Sequence, residues 1–545
     1  MAGLATQFGS GAMTNSIGDI KASACILSVG GNITEAHPVI GFDIKQAVKH
    51  GTKLIVINPR RVGLVRHADI WLRPHSGTNV PLLMGMCRVI LDNGWQDDAF
   101  MAERCENIEA FKESLAKYDL ESVSKITGVP AKDIEAAACM YARSSPASIT
   151  YAMGITQFTH GTDNVMAVGN LAMLTGNIGK PGAGVNPLRG QNNVQGACDM
   201  GGLPTVYTGY QSVSDPAAQA KFAKEWGKVP GLNPGLTLME MFDAACAGKI
   251  KAMYIVGENP MGSDPDIEHI RKALSSLEFL VVQDIFPTET TALAHVVLPG
   301  ASFAEKEGTF TNTERRVQRV RKAIEPVTGS RPDWQVTCQI AQKMGATGFD
   351  YTGTHEIMQE INRLTPSYGG ITFERLEECG GLQWPCPTAE HPGTPILHEH
   401  VFTRGRGKFM PLNYNPPVEM PDSEYPLLLN TGRALFHFHT GTMTRRVGGL
   451  HRFMSEEKAQ INPVDARKLG ISEGDRIAVE SRRGRVEARA TVTDITPPGS
   501  IYMTFHFSET PTNRLTNPAR DPVAHTPEYK VCAVRVEKLE PQAGG

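Results

Sequence analysis

Ala24-Cys25-Ile26-Leu27-Ser28-Val29 running into Gly30-Gly31-Asn32, followed by Lys53-Leu54-Ile55-Val56-Ile57-Asn58-Pro59, is the stretch on which the fold turns. A short apolar run that stops at glycines, then a helix-compatible stretch, then a second apolar run is the pattern of a β–α–β unit with parallel strands. The pattern returns as Ala252-Met253-Tyr254-Ile255-Val256 into Gly257-Glu258-Asn259, then Phe279-Leu280-Val281-Val282-Gln283-Asp284. The spacings agree: Gly30 to Asn58 is 28 residues and Gly257 to Asp284 is 27, while Asn58 to Asp69 and Asp284 to His295 are both 11. Each copy closes on an extended segment ending in proline, Ala68 to Pro74 and Ala294 to Pro299.

The turn after the first strand of such a unit lies at the carboxyl edge of a parallel sheet. There the next helix starts with free backbone N–H groups and a positive dipole end, which suits phosphates and ribose hydroxyls. Neither copy reads G-x-G-x-x-G: the first is Gly30-Gly31-Asn32-Ile33-Thr34-Glu35 and the second Gly257-Glu258-Asn259-Pro260-Met261-Gly262. A nicotinamide site is therefore disfavoured, also because Asn58 stands where an acidic residue would take the ribose. Two ordinary α/β units with glycine turns are the alternative reading.

At 545 residues the chain exceeds one core, and about three or four domains are expected. A net charge of −3 with 20% charged residues implies no broad basic surface for nucleic acid. No apolar run reaches the length of a membrane span, and Met1-Ala2-Gly3-Leu4-Ala5-Thr6-Gln7 has neither a basic nor an apolar leader region, so a soluble cytoplasmic protein is expected. The ten cysteines include no C-x-x-C pair, and Cys25 and Cys87 read as small buried hydrophobes, so no protein-ligated metal site is expected. Glycine (54) and proline (36) are abundant, which implies much ordered loop.

The expected organisation is a first α/β unit over 1–190, a second over 191–330, a mixed helical segment and linker over 331–420, and a C-terminal β-barrel over 421–545. Residues 79–143 carry apolar residues at helical spacing, and helices are expected near 334–344 and 355–364, before a proline-rich passage at 384–426 that reads as a linker. Asp475 to Ser481 and Val486 to Val492 alternate across an Arg483-Gly484 turn, a β-hairpin pattern. The fold class is α/β, with two dinucleotide-binding-like units on parallel sheets plus the terminal barrel.

Between the repeats, Gly176 to Gly201 is rich in glycines and amides and almost bare of apolar side chains. Carboxamides both donate and accept, and glycines let backbone approach a ring, so the loop suits a wide, flat heterocycle. Arg189 is the fixed cation in this setting, and a planar guanidinium matches a small carboxylate through two parallel hydrogen bonds. A structural or phosphate-pairing arginine is the alternative.

In Asn186-Pro187-Leu188-Arg189-Gly190-Gln191-Asn192-Asn193-Val194-Gln195-Gly196 the chain resembles the formate dehydrogenase members of the molybdopterin oxidoreductase family. The likeness extends over Gly11 to Asn15, Gly154-Ile155-Thr156-Gln157, Gln283-Asp284-Ile285 and Pro527-Glu528-Tyr529-Lys530, and covers nearly the whole chain. The resemblance implies two molybdopterin guanine dinucleotides around one molybdenum or tungsten ion, the terminal barrel being of the aspartate-decarboxylase-like type. By position, Asn32, Asn58, Gly154 and Gln157 would serve one cofactor and Gly257, Gln283, Asp284 and Ser302 the other. Gln191 would join them from the loop, and Arg433, His437, Asn513, Tyr529 and Lys530 would meet the pterins. Arg189 would orient formate for oxidation to carbon dioxide. His437 lies in an aromatic run with Phe436 and Phe438, where a packing role is the plainer reading.

Family members begin with cysteines for a [4Fe–4S] cluster and carry a cysteine or selenocysteine ligand to the metal, and these have no counterpart in this chain. Met1 aligns a few residues past that ligand. The expectation is an N-terminally truncated catalytic subunit whose frame was opened downstream of a selenocysteine codon, or a small separate chain that supplies cluster and ligand. Iron–sulfur or flavin electron-transfer subunits are the other expected partners. A nitrate reductase-like enzyme and a non-catalytic cofactor-binding subunit are the alternatives.

Overall fold

The computed structural model describes residues 1–229 and 231–540. They form two compact units: Met1–Leu188, Met261–Glu268 and Ile396 onward make the first, and Arg189–Pro260 with His269–Pro395 the second.

The first unit is built on a five-stranded parallel sheet of β1 (Cys25–Val29), β2 (Lys53–Ile57), β3 (Ile70–Leu72), β4 (Ala147–Tyr151) and β5 (Gly184–Pro187), in the order β3-β2-β1-β4-β5. These strands are apolar at nearly every position because both faces are covered. Leu27, Val29, Ile55 and Ile57 pack in one cluster with Leu82, Leu83 and Leu171, while Ile26, Leu54 and Val56 pack in another with Ile40 and Ile44. Parallel sheets adopt this two-sided burial because each crossover lays a helix on a face. Each such fully buried side chain contributes about 1.5–3 kcal/mol. The expected helical region resolves into five helices, from Asn79–Asp92 to Ala131–Ala142. Cys25 and Cys87 are fully buried.

The second unit holds a three-stranded parallel sheet, β6 (Ala252–Val256), β7 (Phe279–Asp284) and β8 (Val296–Pro299), in that order. It also holds an antiparallel sheet of β9 (Gly308–Thr311), β10 (Arg316–Val320) and β11 (Leu382–Gln383). The two expected helices run over Asp333–Lys343 and Thr354–Leu364.

The barrel of the first unit is closed: β12 (Leu427–Gly432), β13 (Lys458–Ile461), β14 (Arg476–Ser481), β15 (Gly484–Val492), β16 (Ser500–Thr504) and β17 (Cys532–Lys538) join as β12-β16-β13-β15-β14-β17. Its interior is filled by Leu429, Ile461, Ile477, Val479, Ile501, Met503 and Val534. The hairpin turn is Arg482-Arg483 rather than Arg483-Gly484, because Ser481 pairs directly with Gly484. The proline-rich passage is no free tether, since Trp384, Leu397, Phe402 and Phe409 are all buried. No helix among the described residues is long and apolar enough to cross a membrane.

Candidate functional site

The carboxyl edge of the first sheet is held by backbone contact. Gly30, at the end of β1, has φ 61°, and its N–H donates to Ile57 O at 2.9 Å. Gly154 sits just past β4 and donates its N–H to Gly30 O at 3.0 Å. A Cβ on Gly154 would lie 2.0 Å from that same oxygen, so only glycine lets the two strand ends meet. Asn58, at the end of β2, donates from Nδ2 to Gly31 O (3.3 Å) and accepts at Oδ1 from the Arg60 N–H (2.9 Å). Asn32 precedes the short helix Ile33–Ala36, and Gln157 ends the short helix Met153–Thr156. The structure thus places Asn32, Asn58, Gly154 and Gln157 along one sheet edge.

Two residues after Asn58, the guanidinium of Arg60 lies over the Tyr502 ring at 3.3 Å from its centroid and donates to Gln460 Oε1 at 2.8 Å. Tyr502 donates in turn to Arg433 O at 2.8 Å, and Lys530 donates to Thr431 O. Burial first, and then the nearby Arg433 and Arg60, push the Lys530 ammonium down to about 7. Among the described residues no carboxylate forms an ion pair with Arg60, Arg433 or Lys530. Arg60 and Lys530 are buried and Arg433 partly so, and cations withdrawn from water without an ion pair are costly unless an anion completes them. His439 and His506 beside them are held neutral, at about 4, by burial and by Arg433.

Other barrel residues are committed internally. His437 has both ring nitrogens engaged, Nδ1 with Thr444 Oγ1 (3.1 Å) and Nε2 with Met454 O (2.6 Å). Asn513 donates from Nδ2 to Gly262 O (3.0 Å) and Ser263 O (2.9 Å), while its buried Oδ1 has no partner. Tyr529 donates to Ser263 O at 3.0 Å.

In the second unit, Gly257 ends β6 with φ 65°, and a Cβ there would meet nothing within 4 Å, so the turn is open. Gln283 is buried, accepting from Tyr254 Oη and donating to Asp333 Oδ1 at 2.6 Å. Asp284 Oδ1 accepts from the Ile285 N–H (2.6 Å), and the Ser302 N–H donates to Glu305 Oε2 (2.7 Å). Gly257, Gln283, Asp284 and Ser302 therefore all follow or end strands at the carboxyl edge of the second sheet.

The Arg189 loop belongs to the same unit. The Arg189 N–H donates to Thr313 Oγ1 at 3.0 Å, and Gln191 precedes the helix Val194–Asp199. That helix is anchored by Asp199, which is buried and accepts from Gln195 Nε2 (2.7 Å), Tyr210 Oη (2.8 Å), Tyr368 Oη (2.6 Å) and Trp384 Nε1 (2.7 Å). Burial raises its carboxyl while the four donors oppose that shift. Arg189 in turn lowers the Cys198 and Tyr210 groups, against the larger upward push of burial, so its charge is felt at this anchor. Sequence reasoning passed over Asp199, although it is the one acidic residue in a loop of amides; Arg60 and Tyr502 carried no such signal. Among the described residues no cluster of His, Cys, Asp or Glu could hold a metal ion.

A molybdopterin oxidoreductase profile matches residues 3–343, and a molybdopterin dinucleotide binding domain matches residues 427–533. The chain belongs to the molybdopterin oxidoreductase family. It is 50% identical over 541 residues to the F420-dependent formate dehydrogenase subunit alpha of Methanocaldococcus jannaschii, covering 98% of this chain and 80% of that protein. It is 49% identical over 540 residues to the F420-dependent formate dehydrogenase 1 subunit alpha of Methanococcus maripaludis, with the same coverage. Formate dehydrogenase H of Escherichia coli is 41% identical over 549 residues, or 99% of this chain and 76% of that one. Among solved structures, acetylene hydratase from Pelobacter acetylenicus shares the fold, with a TM-score of 0.76 at 23% identity over 99% of this chain and 80% of that one. As a member of this molybdopterin family the chain takes a molybdopterin dinucleotide, and the unpaired cations Arg60, Arg433 and Lys530 fit an anionic group of that kind.

Proposed function

We propose that the chain is the catalytic subunit of a formate dehydrogenase, oxidising formate to carbon dioxide. The observation that carries this is near 50% identity, over 98% of the chain, to alpha subunits named as formate dehydrogenases. Two molybdopterin guanine dinucleotides with molybdenum or tungsten would supply the two-electron acceptor when bound. Asn32, Asn58, Gly154 and Gln157 would hold one dinucleotide, and Gly257, Gln283, Asp284 and Ser302 the other, with 1–190 and 191–330 as the two binding units. Gln191 and the barrel residues Arg433, His437, Asn513, Tyr529 and Lys530 would border the pterins. For Gln283 and His437 that role is one of shaping, since their polar atoms are occupied.

Arg189 binds formate. Its guanidinium pairs both carboxylate oxygens and so fixes the direction of the C–H bond. Formate yields carbon dioxide, a proton and two electrons, and the neutral product loses the ion pair that held the substrate. Asp199, through its helix, keeps the loop in place while this charge disappears. Electrons leave to iron–sulfur or flavin subunits. A [4Fe–4S] cluster and a cysteine or selenocysteine ligand would come from polypeptide outside residues 1–545, either continuous with this chain or as a small partner.

Purified from anaerobic cells supplied with molybdate and tungstate, the complete enzyme is expected to reduce a viologen dye with formate, and Arg189→Lys to raise KM for formate by about 10–100-fold, the loss of a bidentate charged contact. Nitrate reduction without formate oxidation would sink the reading. Intact mass and selenium content of the native protein would identify the source of the ligand.

A further inference from the structure

The peptide that joins Arg433 to Ala434 is held at both of its polar atoms. Its carbonyl accepts from Tyr502 Oη at 2.8 Å, and its N–H donates to His506 Nε2 at 2.9 Å. Register explains why both grips come from one stretch of chain. β12 and β16 run parallel and their last pair is Gly432 with Thr504, so the segments that follow leave the barrel side by side. Phe505, between the two gripping residues in sequence, turns its ring to the Arg433 guanidinium (5.7 Å from the centroid) and to the His439 ring (5.6 Å).

The same imidazole also reaches the far end of the loop. His506 Nδ1 bonds to His439 O, and His439 sits at φ 50°, a left-handed conformation that a residue with a Cβ holds only where its surroundings fix it. A backbone N–H can only donate and a carbonyl can only accept, so the two partners set the tautomer: Nδ1 carries the proton and Nε2 the lone pair. His506 is fully buried, and burial first, then His437, Arg433 and His439, keeps its ring uncharged down to about 4. Among residues 435–438 only His437 is buried, so the backbone of this loop relies on its ties. We propose that His506 is a positioning residue for Arg433: by gripping the peptide that follows Arg433 and the carbonyl of His439, it fixes the direction in which the guanidinium leaves the barrel toward the pterin. The proposal rests on the reading of Arg433 as a residue that borders the pterin. Glutamine at 506 would carry an acceptor and a donor on one planar group and could keep both ties, whereas phenylalanine would keep the ring and neither tie.

The test compares the full chain with its His506→Phe, His506→Gln and Tyr502→Phe variants, each purified from anaerobic cells supplied with molybdate and tungstate. In His506→Phe, amide hydrogen exchange over 433–439 is expected to speed up by about tenfold or more, the factor for leaving a buried group without its hydrogen bond, with 476–481 and 484–492 unchanged. His506→Gln is expected to restore slow exchange. Tyr502→Phe, which frees the other atom of the same peptide, is expected to speed exchange over the same residues, and it decides the matter if His506→Phe does not fold. Pterin content per chain, read by fluorescence after oxidation, is expected to fall severalfold in His506→Phe and in Arg433→Met and to return in His506→Gln. Exchange over 433–439 that ignores both His506→Phe and Tyr502→Phe, or a His506→Gln chain that behaves like His506→Phe, would overturn the proposal. No formate turnover is read. An Arg433→Met chain with full pterin content would instead sink the pterin reading of Arg433 and leave the exchange result, which reads the tie alone, intact.

Discussion

Asp199→Asn removes a charge and changes almost no volume, so it isolates what the buried carboxylate does. In the native protein each oxygen takes two donors: Gln195 and Tyr210 on Oδ1, Tyr368 and Trp384 on Oδ2. Four donors aimed at two oxygens favour the charged form and oppose the rise that burial causes in this carboxyl. An asparagine can keep its oxygen toward Tyr368 and Trp384, whose indole N–H cannot accept. Its amide nitrogen then faces Tyr210 and Gln195, which must reverse their roles. The two retained bonds lose their charge assistance, at about 1 kcal/mol each, and the two reversals cost about 1 kcal/mol more in total. Relief of charge burial offsets a part, leaving a net loss of about 2–3 kcal/mol. That corresponds to a fall in Tm of roughly 4–12 °C for a unit of this size. Thermal and guanidinium unfolding followed by tryptophan fluorescence would read it, since Trp384 reports directly on the anchor. A variant within about 0.5 kcal/mol of wild type would refute the account of Asp199 as a four-donor anchor, because that is the range of an unremarkable surface change.

Gly154→Ala forces a Cβ to 2.0 Å from Gly30 O and strains the bond between the two strand ends, so denaturant unfolding should show a loss of about 2–4 kcal/mol, and a neutral result would contradict the close approach. Glu457 is pushed by burial from 4.5 to about 7, against the hydrogen bonds from Thr504, so the folded chain holds its proton more tightly than the unfolded chain. Its contribution is full below about pH 4.5 and is lost as pH rises through 7; Glu457→Gln should flatten that part of the stability–pH curve by about 3 kcal/mol, and an unchanged slope would count against it. Lys530, held down to about 7 beside Arg433 and Arg60, should take up about one proton when an anion arrives, readable at pH 8 as a buffer-dependent calorimetric heat on adding pyrophosphate, and absent in Lys530→Met.

How much of this was legible follows from sequence distance. The doubled β–α–β pattern could be read directly, because strands covered on both faces need apolar residues at consecutive positions, and Cys25–Val29 and Lys53–Ile57 emerge as β1 and β2. The barrel showed itself through alternation, although the turn moved by one residue because Gly484 pairs within the ladder. The cation cluster was hidden: Arg60 and Gln460 are 400 residues apart, and no local pattern ties them. The partners of Asp199 are likewise spread, with Tyr368 and Trp384 lying 169 and 185 residues away. His437 shows the opposite case, since both of its partners, Thr444 and Met454, are local.

Two of the buried carboxylates, Asp199 and Glu457, differ in how many donors meet them. Glu457 is met by Thr504, through its N–H and hydroxyl, and by the Lys458 backbone, and so few donors do not repay burial of a charge. Asp199 has four donors from four separate residues, and these oppose the upward push of burial far more fully. The difference has a use. On the proposed reading of Arg189 as the formate-binding residue, the loop gains nothing from setting this carboxylate against it, since that ion pair would compete with formate. It still needs a strong anchor for the helix that follows. A carboxyl group bound to neutral donors meets both demands: the helix is fixed by four hydrogen bonds, and those bonds come from Gln195, Tyr210, Tyr368 and Trp384 rather than from the guanidinium.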